Sequence, residues 1–144
     1  MNADNESKPV SKAALWTSYV FSGVPVFMLL FSAVMKLIPA QAVVEGFAQM
    51  GYPAWQARPI GAVELICTVL YLIPRTSVLG AILLTGYLGG ATATHVQAEE
   101  VQFIGAVVFG VLLWGGLFLR DRRIRALIPL RSRLSKPDTG GAAS

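Results

Sequence analysis

Four long apolar runs leave this chain few choices of fold: about Trp16 to Ile38, Ala57 to Ile73, Ser77 to Val96 and Val101 to Leu119, each closed by proline or by charged residues. At 1.5 Å per residue, a helix of about 20 such residues matches the roughly 30 Å hydrocarbon core of a bilayer. Inside that core every backbone N–H and C=O must find its partner within the protein, which a helix provides segment by segment. The composition agrees, with 54% of the 144 residues hydrophobic and only 14% charged, where a soluble domain carries about a quarter. The expected fold is all-α, an integral membrane four-helix bundle.

Lys8 and Lys12 ahead of the first run, and Ala40-Gln41-Ala42 after it, resemble the flanks of a cleaved signal peptide. The run is longer than the usual apolar region of about 7–15 residues, and Lys36 interrupts its end, so it is expected to remain as a span. Pro25 should kink this span, with Ser22 and Gly23 easing the lost hydrogen bond. Residues 40–50 put Val43, Val44, Phe47 and Met50 on one helical face and Gln41, Glu45 and Gln49 on another. Too short to cross, they predict an interfacial helix between the first and second spans, stopped by Gly51-Tyr52-Pro53. Gly86 and Gly90 in the third span, and Ala106 and Gly110 in the fourth, have the spacing that lets helices approach; for the glycine pair packing within the chain is expected ahead of dimerisation.

Orientation follows from the basic residues. Lys8, Lys12, Arg75 and the seven Lys and Arg from Arg120 to Lys136 fall on one side of a four-span topology, against Lys36 and Arg58 on the other. Positive charge marks the cytoplasmic side, so both termini are expected there. The chain then divides into a disordered cytoplasmic tail (1–14), a membrane domain (15–120) and a basic cytoplasmic tail (121–144) suited to an anionic leaflet. The net charge of +4, so placed, points to a membrane surface and away from nucleic acid. Cys67 is the single cysteine, which excludes an internal disulfide.

Three ionisable residues fall in the same half of the membrane: Lys36 at the end of the first span, Glu64 inside the second and His95 at the end of the third. Glu64 lies six residues after Arg58, about 9 Å of helix into the span, where a lone carboxylate is costly. Lys36 is its expected partner, with His95 and Thr92, one turn apart, completing a polar cluster. Each has a plainer reading: a snorkelling Lys36, an interfacial His95, or a structural Lys36–Glu64 ion pair. One histidine cannot ligate haem from both faces, no nucleotide-binding motif occurs, and no Ser or Cys has a catalytic neighbourhood. The chain is therefore not expected to be an enzyme on its own, with no intrinsic cofactor and no metal site.

FSAVMKLIP, IGAVELICTVLYLIPRT and GAILLTGYLGGATATHV, with the Ala91 to His95 segment as the most specific element, resemble the DoxX family, and within it the DoxX-like branch of small bacterial four-helix membrane proteins. The resemblance runs from about Val24 to Leu119. It implies an inner-membrane bundle with polar positions matching Lys36, Glu64 and His95, and an accessory subunit of a redox-linked, quinone-associated assembly. A quinone or lipid in a shared pocket and an oxidoreductase partner follow from the same resemblance. A structural or stress-related membrane protein, a binder or transporter of a small lipophilic molecule, and a homo-oligomer stay open beside it.

Overall fold

The computed structural model describes residues 12–38, 40–121 and 124. Among them every regular element is helical: α1 (Lys12–Leu37), α2 (Gln41–Gln49), a 3₁₀ turn (Ala54–Gln56), α3 (Ala57–Leu72), α4 (Ser77–Gln97) and α5 (Phe103–Arg120). Nearly all of both tails, and Pro39, lie outside the described residues, although α1 already begins at Lys12. Trp16–Leu37, Ser77–Gln97 and Phe103–Arg120 are long and apolar enough to cross a membrane. The fourth long helix, α3, has 16 residues.

The four long helices form a ring in which α1 packs on α3 and α5, and α4 packs on the same two. Its outer surface carries Phe27, Phe31, Ile66, Leu79 and Val111, all exposed. Such a surface is solvated by lipid and not by water. Inside lie Leu29, Tyr71, Leu84, Leu113 and Leu117, each at most 3% exposed.

Three glycines set the helix spacing. A Cβ at Gly61 of α3 would stand 2.7 Å from the Lys36 Cβ and 3.0 Å from the Ala33 carbonyl of α1. At Gly80 of α4 it would collide with the backbone of Leu70 and Tyr71, and at Gly116 of α5 with the Ser22 hydroxyl. Small residues at these contacts let backbones approach where apolar bulk supplies no drive for association. The expected pair Gly86 and Gly90 plays no such part, since a Cβ at either would meet nothing within 4 Å. Ala106 is buried as expected, and Gly110 lies under the Leu88 side chain.

Polar ties join the helices of the ring at both of its ends. Near the chain termini, Ser22 and Tyr71 share a 2.8 Å hydrogen bond, the Tyr71 hydroxyl donates to the Leu113 carbonyl at 2.8 Å, and Ser18 donates to the Gly116 carbonyl at 3.0 Å. The Arg120 guanidinium lies 4.8 Å from the Tyr71 ring centroid and donates to the Tyr71 carbonyl. Helix α1 continues through Pro25. Ser22, expected to ease the turn at the proline, makes its side-chain bond to Tyr71 of the neighbouring α3. The second tie, at the opposite end of the ring, contains Lys36 and Glu64.

Helix α2 closes that end. Its C-terminus has Gly51 at φ +79°, and the Tyr52 N–H donates to the Phe47 carbonyl at 2.8 Å. This is the Schellman pattern, with the accompanying apolar contact supplied by the Phe47 and Tyr52 rings at 6.1 Å. Phe47 is thereby turned inward and buried, while Gln41 and Glu45 bond to each other on the exposed face. The periodicity that predicted an interfacial helix is the one that orients it.

Candidate functional site

The helical register of α1 places Ser32 and Lys36 one turn apart, facing Glu64 of α3 and Tyr87 of α4. Lys36 Nζ donates to Glu64 Oε2 at 2.8 Å, to Ser32 Oγ at 2.5 Å and to Tyr87 OH at 3.3 Å. Ser32 Oγ donates to Glu64 Oε2 at 3.3 Å. The side chains are 18% and 2% exposed for Lys36 and Glu64 respectively, so the carboxylate is the deeper member. All three ammonium protons have an acceptor, and a charged, hydrogen-bonded pair of this kind is the form in which charge is tolerated away from water.

Glu64 sits seven residues into α3, about 10 Å along its axis from the first helical residue. Its own turn is reinforced by Thr68, whose hydroxyl donates to the Glu64 carbonyl at 2.7 Å. The approach of α1 and α3 at Gly61, one turn earlier, brings Lys36 within reach. Local sequence thus supplies the charge and the glycine, and helix packing joins them.

His95 is held by its own loop. Glu99 takes φ +56°, and the Glu100 N–H donates to the His95 carbonyl at 2.9 Å, a second Schellman-type ending with a non-glycine residue in the left-handed position. This turn sets the Glu100 carboxylate 2.7 Å from His95 Nδ1. The bond made by one ring nitrogen fixes the orientation of the imidazole. No bond joins His95 to Glu64; the two residues instead line a common cavity of about 260 Å³ bordered also by Lys36, Tyr87 and Gln102.

Thr92, grouped with the cluster from sequence, is placed elsewhere. Its hydroxyl donates to the Leu88 carbonyl of its own helix at 2.7 Å. The residue lines a separate apolar cavity of about 620 Å³ between α4 and α5, with Trp114 and Phe118. Sequence reasoning also missed Ser32 and Tyr87. Ser32 was findable, because a residue four before Lys36 shares its helix face; Tyr87 carried no signal beyond a phenol inside an apolar run that needs a hydrogen-bond partner.

A second cavity, of about 370 Å³, lies beneath α2, walled by Phe47, Met50 and Ile60 and reaching Lys36, Tyr87 and His95. Tyr52 OH and Thr94 Oγ1, 3.2 Å apart, join the loop after α2 to α4 beside it. The Lys36 ammonium therefore stands between two spaces, one among the helices and one under α2.

A model of the DoxX-like family matches residues 20–116. The chain belongs to the DoxX-like family. The matched stretch contains Lys36, Glu64, Thr92 and His95, and the Ser22–Tyr71–Leu113 part of the other tie, while Ser18 and Arg120 lie just outside it. No curated protein and no solved structure matches the chain. For this DoxX-like protein, family membership and apolar helices together mean a membrane protein, and what its polar centre does has to be argued from the geometry.

Proposed function

We propose that this DoxX-like protein is a small accessory subunit of a redox-linked membrane assembly, in the inner membrane of a bacterial cell, that holds a lipophilic molecule of quinone or lipid type at Lys36 and Glu64. One observation carries the reading: the deeply placed ion pair adjoins two cavities, of about 260 and 370 Å³. A pair that only fastened helices together would be sealed by side chains, whereas a binding site needs apolar walls converging on a few oriented polar groups. An intramembrane acid is a functional candidate for the same reason that it is costly.

Extraction from native membranes followed by mass spectrometry of bound lipids and proteins tests this. The expected result is a retained lipophilic molecule and a co-purifying oxidoreductase, with the lipophile lost from the Lys36→Met, Glu64→Gln double variant, in which a neutral pair replaces the ionic one. Wild-type protein carrying neither would sink the proposal. Identical bound molecules in wild type and double variant would reduce the pair to helix packing.

The topology that goes with this function has four crossings and both termini cytoplasmic. The 16 residues of α3 span about 24 Å, and the 3₁₀ turn that leads into it adds about 6 Å, together close to a hydrocarbon core. A cysteine at the exposed Val101, between α4 and α5, is expected to react with an impermeant maleimide applied to intact spheroplasts, and one at Asp138 is not. Labelling of both, or of Asp138→Cys alone, rejects the arrangement.

A further inference from the structure

The glycine pair in α4 packs against no other helix, yet it faces the cavity under α2. We propose that Gly86 and Gly90 form the floor of a slot that takes the flat or unbranched apolar body of a membrane amphiphile whose polar head is uncharged. This rests on the reading of Lys36 and Glu64 as a binding centre and names the chemistry of its ligand.

Gly86, Gly90 and Thr94 recur every four residues and so share one face of α4. All three border the space under α2, opposite Phe47 and Met50. Where a glycine serves helix approach in this protein, an added Cβ strikes the neighbouring helix, as at Gly61, Gly80 and Gly116; at Gly86 and Gly90 it meets open space. Both residues are exposed at the surface of the ring, so the slot opens sideways toward lipid, along the route by which an amphiphile would arrive. Its volume of about 370 Å³ lies at the small end of ligand pockets.

The head-group chemistry follows from the bonds already made. Lys36 donates to Ser32, Glu64 and Tyr87, which accounts for every proton of an ammonium. An anionic head would find no free donor on Nζ and would face the Glu64 carboxylate 2.8 Å behind it. A cationic head would meet Lys36 first. An alcohol or carbonyl head can share the phenol of Tyr87 or the imidazole of His95 without disturbing the ion pair.

Native mass spectrometry of the full chain released from micelles, titrated with 1-dodecanol or with dodecanoate, tests the slot. Wild type is expected to bind dodecanol at least several-fold more tightly than dodecanoate. Gly90→Leu, and separately Gly86→Leu, should weaken dodecanol binding several-fold, because the added side chain occupies the slot and removes the close packing contacts that hold the alkyl chain there, and Gly90→Ala should weaken it less. The open space at both positions predicts helicity and an unfolding midpoint no lower than those of wild type for these variants, which separates a filled slot from a misfolded chain. Equal dodecanol binding by wild type and a folded leucine variant, or a preference for dodecanoate, overturns the slot. If the Lys36→Met, Glu64→Gln variant still loses its co-purified lipophile in that case, the binding centre stands without it; if wild type binds neither probe and carries no lipophile, both readings fall.

Discussion

Lys36→Met is expected to lower stability by about 3 kcal/mol, the lower end of what removing one partner from a buried ion pair costs. The remaining Glu64 side chain is 2% exposed and rooted on a short stem in the middle of α3, too short to carry the carboxylate to water. It keeps Ser32 as a donor, which limits the damage. Glu64→Gln is expected to cost less, because Lys36 is nearer the surface and its flexible stem can carry the ammonium outward. The Lys36→Met, Glu64→Gln double variant should be more stable than the sum of the two single changes implies, with a coupling of about 1–3 kcal/mol. Unfolding of all four proteins in the same detergent gives the cycle. Additive losses would mean that the two side chains act independently and form no common binding centre.

Gly80→Ala is expected to cost about 3 kcal/mol or more, or to prevent folding, for the addition of a single methyl group. That methyl would enter the backbone of Leu70 and Tyr71, where no side chain can rotate away, so α3 and α4 must move apart as bodies. Their separation would pull on Tyr71, which ties α3 to Ser22 and Leu113. Gly86→Ala, two turns on in the same helix and with nothing within 4 Å of its added Cβ, should be neutral or slightly stabilising, since alanine is the better helix former by about 1 kcal/mol. Equal effects at the two positions would show that helix propensity, and not interhelical contact, governs both.

Much of the molecule was written locally. The apolar runs, with Pro74 after one and Glu99 and Glu100 after another, mark helices that the fold displays with ends shifted by a few residues. The spacing of Val43, Phe47 and Met50 marked α2 and the face it turns inward, because a helix half in water has a polar side to contrast with its apolar one. Glu64 announced its need for a partner by depth alone. Lys36 followed as the nearest basic residue on a neighbouring span, and the pair stands at 2.8 Å.

What local sequence does not encode is the rotation of each membrane helix about its own axis. Lipid-facing Phe31 and Val111 are as apolar as buried Leu29 and Leu113, so no polarity contrast shows which face meets another helix. That rotation decides that Gly61, Gly80 and Gly116 are the close contacts while Gly86 and Gly90 floor a cavity, and that Tyr87 joins Lys36 while Thr92 turns to α5. His95 lines the cavity beside Lys36 and Glu64, but its own bond went unread: the left-handed Glu99 folds Glu100 back onto the imidazole, a bond five residues long that a search for partners on other helices overlooks. The apolar runs and one misplaced acid specify a helical membrane protein with a charged centre. Only the packed ring, through backbone approaches that glycine alone permits, decides which side chains that centre contains and where the space beside it lies.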